Sequence, residues 1–192
     1  MAPNQERLKR APEVVLIAGV LAAGDEALRV ATSLMEEGYG PVRMASEPAA
    51  FTWSRYYATE MGVGLTRRFL AFERSIDPGL LRQAKLASVD FERAHAHEGR
   101  RVFNLDPAYL TLNTLVVAST KDASYRVYLG EGIYAQPMLV YKEGAFQPLE
   151  WTYPDYRDPA HLGFFEAVRR DGLDRGVLRG RRPDGDSVTE GG

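Results

Sequence analysis

The chain of 192 residues carries 24 Lys and Arg against 26 Asp and Glu, with 45% hydrophobic residues and no Cys. That is the length and balance of one packed domain that needs no metal or disulfide staple, and the missing thiols exclude disulfides, thiol nucleophiles, Fe–S clusters and thiolate zinc sites. The near-neutral total argues against a protein dominated by contacts to phosphate backbones, while leaving room for a local basic patch.

Residues 1–12 show no apolar periodicity and read as a disordered start. The start lacks the apolar region of a signal peptide. The following apolar run is about ten residues long, too short for a bilayer of about 30 Å. The expectation is a cytoplasmic protein with no membrane segment. Val14–Leu21 has the continuous apolar pattern of a central strand. Asp25 offers a helix cap, and Ala27, Val30, Ala31, Leu34 and Met35 follow at helical spacing until Gly38 or Gly40. Val42–Phe51 predicts a second strand with Pro48 at an edge or bulge, and Leu65–Glu73 a third. Asp77-Pro78 opens a second helix with a capping carboxylate and a proline whose missing N–H costs nothing there. Gly99 stops it before a fourth strand, Arg101–Leu105. Asp106-Pro107 repeats the device and predicts a third helix to about Ala118. Tyr125–Leu129 and Ile133–Tyr141 flank Gly130-Glu131-Gly132 as a hairpin, Phe146–Leu149 adds a short strand, and Pro159–Arg170 forms a last helix.

The order β-α-β-β-α-β predicts an α+β fold with a ferredoxin-like core, extended by a helix and a β-hairpin meander. The single domain spans 13–171. The tail 172–192, where Arg179, Arg181 and Arg182 alternate with Asp184 and Asp186, reads as disordered.

Most motif readings fail on their own mechanics. No phosphate loop is present, and Gly62-Val63-Gly64 leads into a strand, with Arg67 in the place of the third glycine. An RNA-recognition sheet needs two aromatics on one face. Phe69 and Phe72 are three apart and point to opposite faces, and Arg67 and Arg68 read as solvated edge-strand residues. His95 and His97 cannot share a helix face, so no metal site is expected. No nucleophile elbow exists.

What remains is a polar and aromatic block from Asn104 to Tyr156. Lys121 falls just past the predicted third helix, where the dipole favours a cation. Arg126 and Tyr128, two apart on a strand, share a face suited to a phosphate or carboxylate. Asn104, Asp106 and the loop holding Trp151, Tyr153 and Asp155 lie in the same block, and Tyr56, Tyr57 and Glu60 form a second polar-aromatic cluster. The plain alternative is that Asp106 caps a helix and the cations pair with Asp122, Glu131 or Asp155.

The segments Ser46-Glu47-Pro48, Tyr56-Tyr57 through Glu60-Met61-Gly62, Phe72-Glu73, Asn104-Leu105-Asp106-Pro107, Ala118-Ser119-Thr120-Lys121-Asp122, Arg126-Val127-Tyr128-Leu129-Gly130, Gly132-Ile133-Tyr134-Ala135 and Trp151-Thr152-Tyr153-Pro154-Asp155-Tyr156 carry a resemblance. In order and spacing, over roughly Val14 to Tyr156, the chain is similar to the bacterial family known only as domain of unknown function 4416. Tyr125 stands where that family has histidine, and Ala108 where glycine is usual. The resemblance implies no activity. A loose GTP-binding label on some members finds no phosphate-loop machinery here.

The function expected from these residues is binding of an anionic small molecule, a nucleotide or phosphorylated metabolite. The sites would be Lys121, Arg126 and Tyr128, with Tyr57, Glu60, Asn104, Asp106, Trp151, Tyr153 and Asp155 as further candidates. One alternative is an enzyme using Glu60, Asp106 or Asp155 as acid or base. Another is an RNA- or protein-interaction module. No cofactor is implied, and the oligomeric state is open.

Overall fold

The computed structural model describes residues 10–54 and 57–179. Its strands form one antiparallel sheet, in the order β2-β4-β1-β5-β6-β8-β7, with β3 paired to β4 and β9 to β8. The strands are β1 (Val14–Ala23), β2 (Val42–Ala45), β3 (Ala49–Ala50), β4 (Leu65–Ile76), β5 (Phe103–Leu110), β6 (Thr114–Ser119), β7 (Val127–Gly130), β8 (Ile133–Lys142) and β9 (Ala145–Pro148). The helices are α1 (Asp25–Tyr39), the single turn α2 (Ala58–Met61), α3 (Leu81–Ala94) and α4 (Pro159–Asp174). No helix among the described residues is long and apolar enough to cross a membrane.

β1 is buried on both faces because it has a sheet neighbour on each side and a helical layer above and below. Its side chains alternate. Leu16, Ala18, Val20 and Ala22 pack under α1 with Leu28, Ala31, Met35, Leu70, Phe72, Phe103 and Leu105. Val15 and Ile17 point the other way, into a core with Phe69, Ala71, Leu110 and Met138, closed by Tyr156, Phe165 and Val168 around α4. Phe69 is the hub of that second layer, with Tyr156 and His161 edge-on at 4.8 Å and Phe165 at 4.9 Å. Phe69 and Phe72 thus lie in different layers, as their spacing requires.

The predicted helix over 106–118 is replaced by β5 and β6, joined by a turn in which the Thr111 hydroxyl accepts from Thr114 N. Asp106-Pro107 carries a helix-start pattern, but the run Leu115-Val116-Val117-Ala118 is continuously apolar and buried with two β-branched valines at its centre, and the sheet claims it. Pro107 fits a strand here because β5 has only β1 beside it at this level. Pairing to β6 begins at Ala108↔Val117, whereas pairing to β1 continues through Ala18↔Pro107 to Ala22↔Phe103. A residue without an N–H is tolerated where one side of the strand has no partner. The consequence is a gap in the sheet between the start of β5 and the end of β6.

Smaller corrections follow from side-chain packing. Asp25 lies inside α1, whose cap position is Gly24. The expected strand 42–51 divides into β2 and β3. Arg67 is not an edge residue: β4 is flanked there by β1 at Leu21 and by β3 at Ala49. The expected boundary at residue 171 falls inside α4, and beyond it Leu178 is buried against Gly172 and Val15. The terminal stretches 1–9 and 180–192, and Tyr56, lie outside the described residues. Phe69→Ala should cost about 3–5 kcal/mol of unfolding free energy, read from urea unfolding with native far-UV circular dichroism retained at zero denaturant.

Candidate functional site

The gap beside β5 is filled by charge. Asp106 projects into it and is held from three directions. Lys85 on α3 donates to Asp106 Oδ1 at 3.2 Å and to the Leu105 carbonyl, Asn104 Nδ2 donates to Oδ2 at 2.7 Å, and Arg67 Nη1 on β4 lies 3.6 Å from Oδ2. The network extends both ways. Asn104 Oδ1 accepts from Arg101 Nη1, and Arg101 also binds Glu92 and grips both Glu60 oxygens. Arg67 Nε lies 2.8 Å from Asp155 Oδ2. Arg67, Lys85, Glu92, Asn104 and Asp155 are all buried. Glu92 additionally accepts from Leu105 N, so it ties α3 to β5 where β6 does not reach.

Arg67 sits tightly but is incompletely satisfied. The Asp155 contact has ion-pair distance without hydrogen-bond alignment, and among the described residues Arg67 Nε and Nη1, Asp155 Oδ2 and the Tyr156 hydroxyl have no hydrogen-bond partner. These atoms gather over Gly19. A Cβ there would lie 3.1 Å from the Tyr156 hydroxyl and 3.2 Å from Arg67 Nη1, so the bare backbone makes their room.

Two adjacent spaces border this network. The inner one, about 90 Å³, occupies the sheet gap. Lys85, Val89 and Glu92 of α3 line it on one side and Tyr57 and Tyr153 on the other, with Asn104, Asp106 and Ser119–Lys121 at its edges. The outer one, about 320 Å³, is walled by Phe51, Trp53, Tyr57, Tyr153 and Pro154 over Arg67, Lys121, Arg126 and Asp155. Tyr57, Lys121 and Tyr153 belong to both. Arg126 is fixed by donating to Gln136 Oε1, Ser119 Oγ, the Lys121 carbonyl and the Tyr153 hydroxyl, which clamps the 119–126 loop to the 151–156 loop.

Seven of the ten residues expected from sequence meet here: Tyr57, Asn104, Asp106, Lys121, Arg126, Tyr153 and Asp155 line one or both spaces. Glu60 stands one residue back as the partner of Arg101. Tyr128 and Trp151 do not join. β7 starts at Val127, so Arg126 precedes the strand and turns inward, while Tyr128 is exposed and packs on Tyr134. Trp151 stacks flat on Tyr125 at 5.2 Å and donates to the Pro137 carbonyl. The predicted helix-dipole role of Lys121 disappears with the helix, since Lys121 follows strand β6. Sequence reading missed Arg67, Lys85, Glu92, Arg101 and Trp53. The signal for three of them was present: Arg67 alternates with Leu65, Phe69 and Ala71 on a core-facing strand, and Lys85 and Glu92 share the inward helix stripe of Leu81, Ala84 and Ser88.

Electrostatics fix the protonation states. Burial alone raises the Asp106 carboxyl, but Lys85 and Arg67 outweigh it and hold the pKa below its ordinary 3.8. The Arg101 hydrogen bonds lower Glu60. Burial works against charge on Arg67, yet Asp155 and Asp106 more than compensate and keep it cationic. Burial pushes the Tyr153 phenol up to about 12 and raises Tyr57 further, so both remain O–H groups near neutrality. Because the folded pKa of Asp106 is depressed, its stabilisation is complete above the unfolded value and disappears as pH falls through the folded one. Asp106→Asn should therefore cost about 3–5 kcal/mol near neutrality, through stranding of Lys85 and Arg67. Its stability should also fall less than the wild type's on acidification below the ordinary carboxyl value of 3.8, as measured by urea unfolding across that range.

Among the described residues no cluster of His, Asp and Glu is arranged to hold a metal ion. No curated protein and no solved structure matches the chain. A family model described as Domain of unknown function (DUF4416) matches residues 12–171. The residues of the sheet gap and both spaces lie within that span, and the chain belongs to this family.

Proposed function

We propose that the paired spaces bind an anionic small molecule of the nucleotide or phosphorylated-metabolite class. The observation that carries this reading is the convergence of Arg67, Lys121 and Arg126 on a cleft walled by Phe51, Trp53, Tyr57 and Tyr153. Cations over a recess give an anion its counter-charge, and aromatic walls suit a planar or apolar remainder. Among the described residues, the cations Arg67, Lys85, Arg101, Lys121 and Arg126 around both spaces outnumber by one the carboxylates Glu92, Asp106 and Asp155 that line them and Glu60 behind Arg101.

An acid–base enzyme using Glu60 or Asp106 has less support. Both carboxyls are held below their ordinary pKa by cationic partners. A general acid or base is most effective with a pKa near the working pH. An interaction module would call for a contiguous exposed aromatic or basic patch. Tyr128, with Val127 beside it on edge strand β7, is a small one. For the fold, we read β2-β4-β1-β5 with α1 and α3 as a ferredoxin-like unit, a reading supported by the antiparallel order and by the shared packing of α1 and α3 against β5. The β6–β9 meander would extend it.

A thermal-shift panel of nucleotides and phosphorylated metabolites tests the binding reading. A true ligand at a hundredfold excess over its Kd should stabilise the protein by about 2.7 kcal/mol, raising Tm by several degrees. Lys121 is exposed, so Lys121→Ala should leave the protein folded and reduce the shift. Absence of stabilisation by every anion at millimolar concentration would sink the proposal.

A further inference from the structure

The two spaces differ in size and chemistry, and the difference narrows the ligand. The inner one, about 90 Å³, is lined mainly by polar and charged groups. At less than a third of the outer volume, it suits a small polar group such as one phosphoryl. The outer one, about 320 Å³, is lined mostly by ring carbon, with Phe51 edge-on to Trp53 at 5.6 Å and to Tyr57 at 6.0 Å. That volume lies at the small end of ligand pockets, which start at about 300 Å³.

The inner space keeps donors in reserve. Lys85 has three N–H groups and uses two, on the Leu105 carbonyl and Asp106. Arg101 has five and commits four, to Glu60, Glu92 and Asn104. Both residues line that space, and the Lys85 side chain is only 5% exposed. A buried cation with an N–H to spare gains most from an anionic oxygen placed against it.

Charge points the same way as volume. The surplus of one positive charge among the described residues around both spaces offsets about half to two-thirds of a single phosphate, which carries about 1.5–2 negative charges near neutrality. A triphosphate would bring an excess of negative charge into a site that already holds four carboxylates. Resting on the binding reading above, we infer that the ligand class is a planar aromatic compound bearing one phosphate, the chemistry of a nucleoside monophosphate. Its phosphate sits in the sheet gap against Lys85, Arg101 and Lys121, and its ring sits between Trp53, Tyr57 and Tyr153.

Isothermal titration of the full chain, without added divalent metal, separates the possibilities. The probes are adenosine, guanosine, their 5′-monophosphates and 5′-triphosphates, ribose 5-phosphate and inorganic phosphate. At least one monophosphate should bind about tenfold or more tighter than its nucleoside, its triphosphate and ribose 5-phosphate. Trp53→Ala should weaken that monophosphate about tenfold while leaving inorganic phosphate unchanged. Thr120 is exposed at the rim of the inner space, so Thr120→Glu should fold normally and weaken the monophosphate and inorganic phosphate but not the nucleoside. A triphosphate that binds as tightly overturns the single-phosphate inference and leaves anion binding standing. Ribose 5-phosphate binding as tightly overturns the aromatic half. If no anion in the panel binds at millimolar concentration, both this inference and the broader reading fall.

Discussion

Asp106 is the group on which the arrangement depends. A buried carboxylate is costly unless its charge is met and its lone pairs are occupied. Here Lys85 approaches from the helical layer over one sheet face, Arg67 from the other, and Asn104 from within the same strand. Satisfying that one carboxylate fixes the separation of α3 and β5, the position of β4, and through Arg67 the placement of Asp155 in the loop before α4. Removing Lys85 or Arg67 would leave Asp106 with one cation where it now has two.

The reason a carboxylate can occupy this place is topological. Were β5 and β6 paired along their whole length, the strip facing Lys85 would be ordinary sheet. Pairing stops at Ala108, and Pro107, which has no N–H to offer a neighbouring strand, stands at the stop. The uncovered backbone is then served by side chains, with Glu92 accepting from Leu105 N and Lys85 donating to the Leu105 carbonyl. A gap in a sheet must be filled with hydrogen-bonding groups. In this protein those groups are charged, and the space left among them borders the aromatic cleft at the shared walls Tyr57 and Tyr153.

Much of this was legible in the sequence, and what was not has a physical cause. The runs that became β1 and β4 and the capped start before α3 follow local rules that tertiary packing left alone. Asp106-Pro107 carries two signals at once, a helix start and a strand interruption, and only the position of the neighbouring strand decides between them. The loss of that helix also removed the dipole argument for Lys121, though not Lys121 itself, which the β6–β7 connection carries to the same site. Tyr128 failed because strand periodicity was counted from Arg126, one residue before the strand begins. Arg67 and Lys85 were readable as charges on apolar faces. Their meeting at Asp106 spans three separate elements, which no local pattern encodes.

The claim that these charges act as one unit through the sheet is tested most directly by a double-mutant cycle between Lys85→Met and Asp155→Asn, followed by urea unfolding near neutral pH. Among the described residues the two make no hydrogen bond or ion pair with each other, and Asp106 and Arg67 stand between them. A continuous network requires an interaction energy of about 0.5 kcal/mol or more between them. Additivity to within about 0.3 kcal/mol would contradict it, and would mean that the Lys85–Asp106 and Arg67–Asp155 contacts are independent pairs.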